Sequence, residues 1–278
     1  MECQLGCMTI PYRHFTLQEA FAGIAAAGFK YVCPGPHHFG RGPDEPEISA
    51  EKVDELNKLA EEHGLKIVMI FGCRGPLKSL HDVQTYKQDV DVCAALGAPY
   101  LLTMGPWAYA EGIIRRKPDE EWNADVEAYY RWMKPVAQYA GEKGVTILIK
   151  PHANVCAHAS LCVQTIQAIG SPHVRICYDG GNVHFYEGID PHIDLSLCAD
   201  YVRALVVKNH RGGRGVRDFP PPAEGDVDHA RLLRILSEHN FSGPVVVERL
   251  GDLEELAAIN EEAKKAFRYL TEILGSLS

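Results

Sequence analysis

The run TILIKPHANV, residues 146–155, drives four strand-forming residues into Lys150, a proline and His152. A lysine at the end of a buried strand is costly unless something holds its charge. Three later apolar runs end in the same manner: RICYD on Asp179, ALVVK on Lys208 and PVVVE on Glu248. Two cations and two carboxylates at successive strand ends would form a mutually paired ring, tolerable where any one charge alone would not be. His152, His184 and His210 fall within a few residues of it. Such a ring is either a salt-bridge plug or a site for a small, polar, oxygen-rich ligand. Its histidine and glycine surroundings favour the site.

Other residues stand where they can touch that ligand. The loop HRGGRGVRD carries Arg211, Arg214 and Arg217 on a glycine-rich backbone. Arginine forks suit phosphate or carboxylate, against the plainer reading of solvated loop charges. Trp107 in TMGPWAY is placed to wall one face of the ligand, unless it simply packs. His37 and His38 follow the second strand run, and Asn182 sits in YDGGNVHFY beside His184. The segment DFPPPAEGD is stiff enough for a lid or a subunit contact. One metal-like pattern, HANVCAHASLC, holds His152, Cys156, His158 and Cys162. It lacks paired-knuckle spacing, so it reads as core cysteines sooner than as a zinc site.

These residues are positioned by a regular alternation. Strand-like runs cover residues 4–7, 31–33, 66–71, 100–104, 146–150, 175–178, 204–208 and 244–248. Amphipathic helical patterns lie between them, and four, ending at Gly28, Gly64, Gly97 and Gly144, close on the usual helix-stopping residue. Eight strands alternating with about eight helices predict an α/β protein, a single-domain (β/α)8 TIM barrel over residues 1–278. An open doubly wound sheet would carry a glycine-rich turn after its first strand, and GCMTIPYRH is not one. In a barrel the C-terminal strand ends build the site, and there the histidines, lysines and arginines gather.

The chain has 278 residues and a formal charge of −9, a poor balance for nucleic-acid or anionic-membrane binding. Its N-terminal stretch does not read as a signal peptide, and no run is long and apolar enough to predict a membrane span. Nine cysteines without a CxxC pair suit a reducing, cytoplasmic setting.

The order Lys150, CYDGGN, VVKNHRG and EGDVDHARLLRILSEHNFSGPVVVE resembles the second half of the xylose-isomerase-like superfamily of sugar isomerases, epimerases and dehydratases. EAFAGIAAAGFKYV resembles its first βα unit, so the likeness covers essentially the whole chain. The resemblance implies a divalent metal held by Glu, Asp, His and Glu on strands five to eight. Here Asp179 and Glu248 match, whereas Lys150 replaces the first glutamate and Val206 the histidine. An ammonium is no metal ligand while protonated, so Lys150 predicts a site without cofactor in which the lysine stands where the cation would. The alternative is a rebuilt Mn, Mg or Zn site using Asp179, Glu248 and His210.

The resemblance further implies a sugar, keto-sugar or cyclitol and proton transfer next to its carbonyl, as in an isomerase or epimerase. Lys150 and Lys208 then stabilise the oxyanion, while Glu248, His152 or His210 is the base and Asp179 completes the ring. A Schiff base on Lys150 ranks lower, because nearby carboxylates keep its amine charged. Contacts to substrate fall to His184, Arg211, Arg217, Trp107, His38 and Asn182. A lyase, a non-catalytic sugar-binding barrel and, most remotely, a DNA-repair endonuclease are the other readings. A homo-oligomer is compatible with the family.

Overall fold

The computed structural model describes residues 2–38, 48–72, 77–111 and 115–277. Short runs, mostly apolar and β-branched chiefly in the last four, form nine parallel stretches: β1 (Cys3–Met8), β2 (Tyr31–Cys33), β3 (Lys66–Ile67), β4 (Met69–Phe71), β5 (Tyr100–Thr103), then β8 (Thr146–Ile149), β9 (Val174–Asp179), β10 (Val202–Val207) and β11 (Gly243–Val247). A small antiparallel pair, β6 (Tyr109–Glu111) and β7 (Arg115–Arg116), stands outside them. The sheet order is β3-β2-β1-β11-β10-β9-β8-β5-β4. Its two outer members, β3 and β4, are consecutive parts of one segment interrupted at Val68. The sheet is thus joined to itself through the chain, which makes it the expected TIM barrel.

Around it run α1 (Leu17–Ala27), α2 (Ala50–Glu62), α3 (Leu80–Ala95), α4 (Asp119–Glu142), α5 (Ala159–Ile169), α6 (Gly180–Asn182), α7 (Pro191–Ser196), α8 (His229–Glu238) and α9 (Leu256–Ser276). Helix α1 begins in a capping box between Thr16 and Glu19, satisfying donors that the first turn leaves open. The four expected stop glycines, Gly28, Gly64, Gly97 and Gly144, all adopt positive φ. All eight expected strands appear within two residues of their expected ends. The β6–β7 pair, α7 and a wide π turn at Val183–Glu187 were not expected. Their sequences lack a long periodic pattern.

Period-2 alternation divides the core into two shells. Leu148, Cys177, Val206 and Val246 point into the barrel with Met8, Met69 and Leu102. Their strand neighbours Ile147, Ile149, Tyr178, Val207 and Val247 face the helices. Two residues beyond the four inward ones stand Lys150, Asp179, Lys208 and Glu248, so the pleat itself aims all four at the barrel axis. Among the described residues no helix is long and apolar enough to cross a membrane.

Candidate active site

Each of the four charged residues is almost fully withdrawn from solvent: Lys150 is 2% exposed, Asp179 0%, Lys208 7% and Glu248 8%. Lys150 Nζ contacts Glu248 Oε2 and lies 3.0 Å from Asp179 Oδ2. Lys208 Nζ lies 2.9 Å from Glu248 Oε1 and 3.6 Å from Asp179 Oδ2. Two positive and two negative groups therefore cancel, which is the condition for keeping them at this depth. Lys208 also donates to Asn182 Oδ1 (2.6 Å), and Asn182 Nδ2 donates to the Pro151 carbonyl (2.8 Å). Asn182 is thus a brace between strand ends. The turn that carries it packs closely: a Cβ on Gly181 would stand 2.5 Å from the Lys208 carbonyl oxygen.

Burial opposes the charge on Lys150, but Glu248 and Asp179 outweigh it and hold its amine above the ordinary lysine value. Burial likewise works against the Glu248 carboxylate, and Lys150 and Lys208 overcome it, holding the group well below the usual carboxylate range. The sign of the linkage follows. A depressed Glu248 contributes stability above its ordinary value of 4.5, and this is lost as pH falls toward the folded value. A raised Lys150 contributes below its ordinary 10.5, and this is lost as pH rises past the folded value. The contribution of this ring to the melting temperature is therefore expected to be level between about pH 5 and 10 and to drop on both sides, with the loss from buried neutral His152 added below about pH 6.5. In Glu248→Gln the part of the acid-side drop due to this carboxylate should vanish. An unchanged acid limb in that variant would count against the ring as a source of stability.

A second layer surrounds the ring. His152 stacks edge-on to Trp107 (4.5 Å between centroids) and leans on Tyr186 (4.4 Å). Its Nε2 is 3.2 Å from the Tyr186 hydroxyl, and its Nδ1 accepts the Ala153 N–H at 2.9 Å. Burial first, then the ammoniums of Lys208 and Lys150, push His152 well below the ordinary histidine value, so the ring is neutral. Phe71 lies 5.4 Å from Lys150 Nζ and Phe219 5.6 Å from Lys208 Nζ. Arg249 also stacks on Phe219, 4.5 Å from its ring centroid. A pocket of ≈ 60 Å³ opens on Glu248 beside Arg13 and Arg249.

The remaining candidates from the sequence are placed differently. His210 is buried, with Nε2 2.6 Å from the Val216 carbonyl and Nδ1 2.8 Å from His184 Nδ1. Both its nitrogens are engaged in holding the loop after β10, and His184 is its partner there. Arg211 is exposed and folded back on Asp218 (3.4 Å) and on the Glu224 carbonyl (2.6 Å). Arg217 is exposed, within electrostatic reach of Tyr186. His38 bonds Thr9 Oγ1 (2.9 Å) and the Phe15 carbonyl (3.0 Å), a tie between two strand-end loops, while His37 is exposed. Asn209 pins the proline-rich segment through the Pro222 and Val227 carbonyls (2.7 and 3.1 Å). The rim segments 39–47 and 73–76, which include part of CPGPHHFG and FGCRGP, lie outside the described residues.

Tyr186, Phe71, Phe219 and Arg249 were missed in the sequence. Tyr186, Phe71 and Phe219 stand in YDGGNVHFY, FGCRGP and DFPPPAEGD, but aromatic and paired residues carry no spacing signal of their own.

A divalent metal does not fit this arrangement. The Asp179 and Glu248 carboxylates already face two ammoniums, and His210 is turned onto His184 and Val216, so these three do not converge as ligands. The zinc-like pattern is dispersed as well: the Cys162 thiol donates to the Cys156 carbonyl (3.3 Å) and His152 is held by Ala153 and Tyr186. Among the described residues no group of three or more His, Cys, Asp or Glu side chains is placed to hold a metal ion.

Comparison with known proteins places this geometry in context. A family model described as xylose isomerase-like TIM barrel matches residues 21–273. An inosose dehydratase of Erwinia tasmaniensis is 25% identical over 293 residues, covering 94% of this chain and 91% of that protein. An inosose dehydratase of Bacillus licheniformis is 23% identical, over 84% and 80%. The solved structure of an E. coli 3-keto-D-glucoside 4-epimerase superposes with a TM-score of 0.76 at 15% identity, over 98% of this chain and all of that one, a likeness of fold.

Proposed function

The chain belongs to the xylose isomerase-like TIM barrel family, and from that premise we propose that it is an enzyme of isomerase or epimerase type. It would move a proton on the carbon next to a carbonyl of a sugar, keto-sugar or cyclitol. The observation that carries this reading is the neutral square of Lys150, Asp179, Lys208 and Glu248 at the C-terminal end of the barrel. Fixed ammoniums aimed at one point serve the electrostatic purpose that a metal ion serves elsewhere.

In this reading Glu248 takes the proton. A carboxylate held below its ordinary range is a weak base at rest. The same two ammoniums, however, also face the substrate oxygen on which the charge collects. When the proton moves from carbon to Glu248, one negative charge passes from carboxylate to enediolate oxygen, and ring and substrate together stay neutral. Lys150 and Lys208 thus meet the charge where it develops on the substrate oxygen, and neither carboxylate need leave its partners. Because Lys150 is held charged, it acts electrostatically in preference to forming a Schiff base. Asp179 and Asn182 position the lysines, and Trp107 offers a sugar face.

A second reading, dehydration, is favoured by the names of the two sequence relatives, both inosose dehydratases. It begins with the same proton removal and continues with loss of a hydroxyl. Both are tested by incubating the protein in D2O with a chelator and a panel of inosose, D-allulose, D-tagatose and a 3-keto-glucoside. Loss of the α C–H signal in the proton spectrum is expected for at least one compound. An epimer then marks the first reading and an unsaturated product the second. No exchange on any compound, or exchange only after a divalent metal is added, would sink the proposal.

A further inference from the structure

After Asp179 the chain passes through α6 into the π turn at Val183–Glu187. Wide turns of this kind re-aim side chains and recur at functional sites. This one swings Tyr186 over the end of β8, where Trp107 meets it edge-on (6.5 Å) and His152 supports its ring. Arg214 clamps the backbone at the same residue, donating to the Tyr186 carbonyl (2.7 Å) and to the Tyr109 hydroxyl (2.9 Å). The half-buried Tyr186 is therefore held by three groups, Trp107 and His152 at its ring and Arg214 at its backbone.

Its hydrogen-bond polarity can be read from the backbone. The Ala153 N–H donates to His152 Nδ1, so the hydrogen of the neutral imidazole resides on Nε2. That hydrogen points at the Tyr186 oxygen, 3.2 Å away, which must accept it. The phenol's own hydrogen is left to donate, and among the described residues nothing accepts it. The hydroxyl is within electrostatic reach of Lys150, Asp179 and Glu248, while Glu248 itself comes from β11, on another side of the ring.

We propose that Tyr186 is the general acid of this site, giving its hydroxyl proton to the oxygen that leaves when the hydroxyl β to the substrate carbonyl is expelled. This rests on the proton-transfer reading above in its dehydrating form. Glu248 takes the α proton, the C–H electron pair becomes the new C=C bond, and the C–O bond breaks. The departing oxygen leaves as water with the Tyr186 proton. The phenolate, stabilised by His152 Nε2–H, regains a proton from solvent, and Glu248 returns one, so no net proton or electron is consumed. Burial pushes the phenol up to about 12, which keeps it loaded with its proton at neutral pH. His152 is a positioning residue that acts through Tyr186.

The test compares inosose with its analogue carrying fluorine in place of the β-hydroxyl, because fluoride departs without protonation. In Tyr186→Phe, water loss from inosose is expected to fall about 10²–10⁴-fold, the range of general-acid effects. Fluoride loss and α-hydrogen exchange in D2O should each change less than about tenfold, a shift a merely structural defect does not give. His152→Leu should lower the ratio of water loss to fluoride loss in the same direction. His152→Gln, which keeps an N–H donor toward Tyr186, should restore part of it. Equal losses in all three rates, or no loss in any, would overturn the role of Tyr186. A wild-type protein that neither exchanges the α hydrogen nor releases fluoride would instead overturn the underlying reading, and the proposal with it.

Discussion

Lys150→Met is expected to destabilise the fold by about 3–5 kcal/mol, the usual cost of stripping one partner from a buried ion pair. Methionine fills nearly the same volume, so the loss is electrostatic and not a cavity effect. Asp179 and Glu248 would be left at 0% and 8% exposure with Lys208 as their cation, and the ring would carry an uncompensated negative charge. Turnover should fall about 10²–10³-fold or more, because one of the two groups aimed at the developing oxyanion is gone. These two effects are separable. Lys150→Met combined with Glu248→Leu removes one charge of each sign and leaves Asp179 near Lys208 (3.6 Å). That double variant should recover most of the lost stability and none of the activity. Chemical denaturation and the D2O exchange assay measure the two separately. If Lys150→Met keeps full exchange activity, the ammonium has no part in the chemistry.

The second large effect concerns metal. In the family pattern, glutamate and histidine stand where this chain has Lys150 and Val206. Val206 points into the barrel two residues before Lys208, in register with Asp179 and Val246. Lys150→Glu together with Val206→His would therefore direct a carboxylate and an imidazole at Asp179 and Glu248. The expected result is uptake of about one equivalent of manganese by elemental analysis, against none for the wild type. Metal should also raise the melting temperature of the variant, by about 2.7 kcal/mol of stability at a free concentration one hundred times Kd. The wild type should show no such shift. A wild-type protein that already holds a stoichiometric ion, or a double variant that still takes none, would end the idea that lysine has replaced the cation.

The difference between legible and hidden features has a physical origin. The alternation of strands and helices, the stop glycines and the closure into a barrel follow from local periodicity and backbone preference, which the sequence carries residue by residue. The inward aim of Lys150, Asp179, Lys208 and Glu248 was also legible, because period-2 alternation extends each strand's parity to its last residue. That four charges would be buried together follows from parity plus the barrel rule.

What sequence left open was how those charges and their neighbours pair. His210 and His38 look like candidate bases or ligands in the chain, yet tertiary contacts turn the first onto Val216 and His184 and the second onto Thr9 and Phe15. Arg211 looks like an anion clamp and is engaged by its own loop. Tyr186, unremarked in the sequence, enters the site through a π turn that no propensity announces. Composition and periodicity determine the barrel and the four residues at its centre, because they depend only on near neighbours. Which imidazole is free, which arginine is bound and which phenol faces the ring depend on groups distant in the chain, and only the folded rim brings these together.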